Sequence, residues 1–140
     1  MTQNEQQATR PSAEPSPGSQ VYADAVARYF EAWNAAGQEA LGKAVAGAFT
    51  EEGRYTDPLA DVTGHEGIAA VITGAHAQFP GWVFRPLGDV EGHHDIARFG
   101  WELVNAADGT APVAGFDVVR LAEDGRISAV LGFLDRVPAV

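Results

Sequence analysis

Asp117 is an acid in an apolar strand pattern. The segment Val113-Ala114-Gly115-Phe116-Asp117-Val118-Val119-Arg120-Leu121 alternates, and Asp117 shares parity with Val113, Gly115, Val119 and Leu121 while Arg120 has the other. A strand sends successive side chains to opposite faces, so a carboxyl group falls among apolar neighbours. Burial disfavours the charged form, so its pKa is expected to rise and the acid to stay protonated near neutral pH. Two uses are open: a structural acid bonded to backbone or to Tyr29, or a proton-handling group in a pocket, where shifted carboxylates cluster. Asp57 closes the extended piece Arg54-Tyr55-Thr56-Asp57 in front of Pro58. Asp-Pro pairs start turns, which is its simplest use on spacing alone.

Tyr29 sits in an apolar helical stripe, as core with its hydroxyl at the rim. His76 follows Ile68 and Ile72 at helical spacing and so shares their inward face, as a satisfied core histidine or a pocket acid/base. Trp33, Phe84, Phe99, Trp101, Val119 and Phe133 are the candidate walls of a substrate pocket. Arg98 has the opposite parity to Phe99 and Trp101 and points away. His65 heads a helix, and His93 and His94 lie at a hairpin tip. No HExxH, EF-hand loop, GxSxG, Walker loop or GxGxxG occurs, so neither a metal nor a cofactor is expected.

The elements that position these residues are legible from hydrophobic period. Val26, Tyr29, Phe30 and Trp33 mark a helix over about 20–36, with Ser19 as N-cap and Gly37 as its stop. Leu41, Ala44, Val45, Ala48 and Phe49 mark a second over about 38–49. Ile68, Ile72, Ala75, His76 and Phe79 mark a third over about 65–78, opened by Thr63-Gly64 and closed by Pro80-Gly81. From Trp82 the period becomes two, which predicts strands over about 82–90, 95–105, 112–122 and 126–136. Helices packed on one face of a curved, mostly antiparallel sheet make an α+β fold. The last two strands are apolar on both faces, so a homodimer through the sheet is expected. Residues 1–19, rich in Gln, Pro, Ser and Glu, read as a disordered tail, and 20–140 as the domain.

Composition narrows the function. The 140 residues hold 19 Asp plus Glu against 9 Lys plus Arg, a net charge of −10, which repels phosphate backbones and argues against nucleic acid. No apolar run reaches the ~18 residues of a membrane span. With no cysteine and no apolar signal segment in residues 1–20, a cytoplasmic protein is expected.

The order ARYFEAWNAAG, FTEEGRYTDP, GHEGIAAVI and GFDVVRLAEDGRI resembles the nuclear transport factor 2-like superfamily. Within it the chain is most similar to the SnoaL-like polyketide cyclases and ketosteroid isomerases, over roughly residues 20–137. The resemblance implies a cone-shaped, cystatin-like α+β barrel. It also implies Tyr29 as an oxyanion-hole tyrosine, Asp57 as general base and Asp117 as a protonated second oxyanion donor. The chain departs from the isomerases where their supporting tyrosines correspond to Phe49 and Ile72, where a tryptophan corresponds to Leu134, and where His76 replaces an apolar residue.

The expected activity is a cofactor-independent isomerase or cyclase on a small hydrophobic carbonyl compound, with His76 relaying or returning the proton. Its rivals are an epoxide hydrolase or dehydratase of the same fold, and a non-catalytic dimeric module that holds a hydrophobic ligand.

Overall fold

The computed structural model of the protein describes residues 17–138. Most of the expected tail therefore lies outside the described residues, and residues 17–19 already belong to helix α1 (Pro17–Asn34). A proline heads a helix without penalty, because its missing N–H would have no intrahelical partner there. Ser19 accordingly lies inside the first turn instead of capping it. The buried side of α1 is the expected stripe of Val26, Tyr29, Phe30 and Trp33, with Ala25 and Ala32 filling between them.

Helix α2 (Gln38–Ala48) buries Leu41, Val45 and Ala48. Helix α3 (His65–Gln78) buries Ile68 and Ile72. Gly37 and Gly64 lead into these helices at φ of 90° and 94°, a left-handed geometry that a side chain would strain.

Six strands follow the chain as β1 (Phe49–Asp57), β2 (Ala60–Thr63), β3 (Trp82–His93), β4 (Ile96–Asn105), β5 (Val113–Leu121) and β6 (Ile127–Arg136). They form one sheet in the order β2-β1-β6-β5-β4-β3. Only β1 and β6 run parallel; the other neighbours are antiparallel. The last four strands fall where their period predicts. β1 begins five residues earlier than the expected extended piece, because Glu51 and Glu52 interrupt the apolar pattern where the register with β6 is irregular. β2 is too short, at four residues, to show an alternation.

Register shifts in β3–β4 and at both ends of the β5–β6 pair bend the sheet. The three helices pack on its concave side, and the fold is the expected α+β cone. The core between them centres on Phe49, Ile68, Ile72, Val119, Ile127 and Val130. None of the described helices is long and apolar enough to cross a membrane.

Candidate functional site

The core stops short of filling the cone, and a cavity of about 500 Å³ remains. That lies within the roughly 300–1,000 Å³ of small-molecule sites. α1 contributes Tyr29 and Trp33 to its wall, β1 contributes Tyr55 and Asp57, β3 Phe84, β4 Trp101, and β5 Asp117. The wall is otherwise apolar, apart from Gln78.

Asp117 is the one buried charged or polar residue among those described, with 3% of its surface exposed. The Tyr29 hydroxyl donates to its Oδ2 at 2.7 Å. Burial pushes Asp117 up to about 6; hydrogen bonds from Tyr29 and Trp101 act against that, and the nearby charge of Asp57 adds to it. The upward direction is the one expected of a carboxyl group among apolar neighbours. The Tyr29 hydrogen bond stabilises the charge that the apolar wall alone would suppress.

The carboxyl group fits only because its cross-strand neighbour has no side chain. Asp117 pairs with Gly132 on β6, and a Cβ there would stand 2.7 Å from Asp117 Oδ1 and 3.4 Å from Asp57 Cβ. Gly132 is thus a notch between the two acids. Gly115 does the same for Trp101, its partner on β4, since a Cβ there would meet the indole ring at 2.7 Å.

Asp57 is a turn residue and a cavity residue at once. Its Oδ1 accepts the backbone N–H groups of Leu59 at 2.7 Å and Ala60 at 2.8 Å, which closes the β1–β2 turn. Its Oδ2 accepts the Tyr55 hydroxyl at 2.5 Å. A carboxylate oxygen has two acceptor sites, so Oδ1 is saturated and Oδ2 keeps one. Tyr55 was not singled out from the sequence, although the signal was there: it lies two residues before Asp57 on one strand and so shares its face. Both tyrosines are held above the usual phenol range, first by burial and then by the neighbouring carboxylates, and stay donors.

Trp33 stands between the two tyrosines, with ring centroids 6.2 Å from Tyr29 and 5.7 Å from Tyr55. Its indole N–H leans toward the Tyr29 hydroxyl, close enough to favour the phenolate. It nevertheless falls outside hydrogen-bond geometry and is a buried donor with no acceptor.

Four of the expected site residues lie elsewhere. His76 does not line the cavity; its Nε2 lies 2.6 Å from the Trp33 carbonyl oxygen, where it ties α3 to the end of α1. The cavity side of α3 is instead Val71, Gly74, Ala75 and Gln78. His76 follows Ile68 and Ile72 on the side that packs on the other helices. Phe99 is buried behind Tyr29, edge-on at 5.3 Å. Val119 is fully buried core. Phe133 is 52% exposed and stacks on Phe116 at 5.1 Å across the outer sheet face. On β6 the inward set is Val130, Gly132 and Leu134, so Leu134 takes the wall position expected of Phe133. Arg98 points outward, as its parity predicts, and pairs with Glu91.

The comparisons agree with this fold. The family model of the SnoaL-like domain matches residues 26–130, and the chain belongs to that family. A proposed isomerase of the SnoaL-like family from Agrobacterium tumefaciens strain C58 shares 40% identity, covers 83% of this chain and 98% of its own, and superposes with a TM-score of 0.78. A proposed SnoaL-like polyketide cyclase from Jannaschia sp. CCS1 shares 21% identity over 89% of this chain and 92% of its own, with a TM-score of 0.70. At that identity the likeness concerns the fold. So does a cystatin-like protein of unknown function from Nostoc punctiforme, 16% identical over 87% and 95% of the two chains, with a TM-score of 0.64. No curated protein matches the chain.

Proposed function

We propose that the chain is a cofactor-independent acid–base enzyme, an isomerase or cyclase, for a small and mostly apolar carbonyl compound. The observation that carries this reading is a pair of acids in one apolar cavity, each hydrogen-bonded to its own tyrosine and separated by the Gly132 notch.

In this reading Asp57 Oδ2 takes the proton from the carbon next to the substrate carbonyl. The C–H electron pair moves into the carbon framework and the carbonyl oxygen becomes an enolate oxyanion. Once Asp117 takes up its proton, the Tyr29 hydroxyl turns from its Oδ2 to the substrate oxygen, and both groups donate to the oxyanion. An apolar substrate displaces water from around Asp117 and so favours its neutral form further. Asp57 then returns the proton to another carbon, giving an isomer, or the enolate carbon attacks a second carbonyl, closing a ring, and the alkoxide so formed takes the proton back from Asp57. His76 has no part in these steps. Epoxide opening of the kind that uses an arginine beside the acid is disfavoured, since no arginine is among the cavity-lining residues.

We further propose that the enzyme works as a homodimer joined through the outer sheet face, where Phe133, Leu131, Leu87 and Val83 are each 45–52% exposed.

The decisive test is deuterium exchange. In D₂O the wild-type protein should speed exchange at the methyl carbon of an aryl methyl ketone. Asp57→Asn, which keeps the turn acceptor Oδ1, should slow exchange by about 10²–10⁴-fold with ketone affinity nearly intact. Equal exchange rates in the two proteins would sink the proposal.

A further inference from the structure

One buried polar group has no use in the chemistry proposed above. Among the described residues, Trp33 Nε1 is the only buried side-chain nitrogen or oxygen without a hydrogen-bond partner. An indole N–H can only donate. A buried donor without an acceptor is costly enough that folded proteins keep few of them. Nor is the residue free to swing toward a partner. Its carbonyl oxygen is tied to His76 Nε2 at 2.6 Å. The next residue, Asn34, docks on the edge of β3, where its amide donates to the Phe84 carbonyl oxygen at 2.9 Å and its Oδ1 accepts the Phe84 N–H at 2.8 Å. The Phe84 ring packs on the indole with 4.8 Å between centroids. The end of α1 is thus pinned at the one residue whose side chain is left short of an acceptor.

Two phenol rings flank the indole, Tyr29 at 6.2 Å and Tyr55 at 5.7 Å between centroids. The indole N–H acts on the Tyr29 oxygen, whereas the Tyr55 phenol is governed by burial and the two acids. The Tyr29 oxygen can take a further bond, because a hydroxyl that donates still has lone pairs to accept with. Its O–H is committed to Asp117 Oδ2 at 2.7 Å, which fixes where the oxygen stands. The mechanism above releases it, since Tyr29 turns to the substrate oxygen once Asp117 is neutral. A phenol that accepts at its oxygen donates more strongly through its O–H, because linked hydrogen bonds polarise one another. The other rings against Tyr29 are Phe30, Phe49 and Phe99, which have no polar hydrogen to offer.

We propose that Trp33 is a positioning residue for Tyr29: its N–H closes onto the Tyr29 oxygen when the hydroxyl leaves Asp117 for the substrate, and makes that hydroxyl the stronger donor. The N–H that goes unmet while Tyr29 serves Asp117 is satisfied only when Tyr29 serves the oxyanion. The contact therefore favours the reacting state over the bound ketone, and it lowers the barrier instead of tightening binding. The inference deepens the proposed activity and rests on reading Tyr29 as an oxyanion donor.

The test replaces Trp33 by 3-benzothienylalanine, a ring of the same shape with sulfur where the N–H stands. This variant should melt no lower than wild type, because it loses no partnered group. Exchange of the methyl protons of acetophenone in D₂O should fall about tenfold in kcat with KM unchanged, the effect of one hydrogen bond made in the reacting state. Proton NMR gives a second readout that shape alone does not move. The Trp33 indole signal, assigned through the ring's contact with Phe84, should move downfield when acetophenone binds at about pH 5, below the Asp117 titration. In Tyr29→Phe it should stay in place. Exchange in the benzothienyl variant equal to wild type, a rise in KM with kcat unchanged, or an indole signal that moves equally in Tyr29→Phe overturns the role of Trp33 and leaves the carbonyl site standing. A benzothienyl variant that does not fold leaves the decision to the indole signal. A wild-type protein that exchanges no ketone overturns both this inference and the carbonyl reading beneath it.

Discussion

Asp117 Oδ1 occupies the space that a side chain on Gly132 would need, with only 2.7 Å between the oxygen and an ideal Cβ at that position. The two residues face each other across β5 and β6, so neither strand can yield without breaking the ladder. Gly132→Ala should therefore push the carboxyl group off its seat. Overpacking of this kind costs about 1–3 kcal/mol. The expected result is a folded protein of lower melting temperature in which the Tyr29–Asp117 bond is weakened and ketone exchange falls. An unshifted Asp117 carboxyl resonance in the variant would show that the notch is not needed.

The shift on Asp117 has a sign that stability can read. Its folded pKa, about 6, lies above the ordinary 3.8, so the folded state holds the proton more tightly than the unfolded chain. The stability from this group is fully present below 3.8 and is lost as pH rises through about 6. The difference corresponds to ~3 kcal/mol in favour of the neutral form. Asp117→Asn has the same shape without the charge and still accepts from Tyr29. It should melt several degrees above wild type near pH 8, and the gain should vanish near pH 4. A gain independent of pH contradicts this account.

Tyr29→Phe removes a donor that holds the Asp117 charge in place. The hydrogen bond lowers the Asp117 pKa against the larger effect of burial, so its loss should move the titration upward. Carbon-13 NMR of the aspartate carboxyls should show the midpoint above about 6 in the variant. Stability near pH 8 should fall by about 1.5–3 kcal/mol, as expected for a lost hydrogen bond to a charged group. A downward or unchanged midpoint would mean that Tyr29 does not share its proton with Asp117.

Tyr55 and Asp57 make the second pair, and here the backbone provides a reserve. Without the Tyr55 hydroxyl, Asp57 still accepts from Leu59 and Ala60 through Oδ1. Tyr55→Phe should leave the turn and the melting temperature nearly unchanged but release Oδ2, the oxygen proposed to take the proton. Ketone exchange should then change by about tenfold or more with affinity preserved. An equal loss in affinity would instead make Tyr55 a binding residue.

Legibility in the sequence followed the kind of pattern each residue sits in. Asp117 could be placed because it breaks an otherwise apolar parity set, and Tyr29 because α1 has a single narrow stripe. Phe133 could not, since β6 is apolar in both parities and alternation alone does not say which set faces in. Gly132 carries that sign: its missing side chain makes room for Asp117, which fixes the even residues inward. His76 lies inward, as its spacing from Ile68 and Ile72 implies, but α3 has two inward faces, one toward the helices and one toward the cavity. The Tyr55–Asp57 bond depends on a strand recognised only over its last four residues.

The two-sided apolar pattern has one more consequence. Phe116 and Phe133 stack nearly parallel, with 15° between their planes, on a face where Leu131, Leu87 and Val83 are also exposed. Arg85, Glu102 and Arg136 form an ion cluster on the neighbouring part of that face. A two-fold interface uses the same patch twice, so an apolar centre beside mixed charges is complementary to itself. Sedimentation should find the wild-type chain dimeric, and Leu131→Glu with Phe133→Glu should make it monomeric without melting the cavity, whose walls come from the opposite parity. The monomer should keep ketone affinity, because no residue of the outer face lines the site. A wild-type chain that stays monomeric at millimolar concentration excludes this interface, and the exposed phenylalanines then have no such partner.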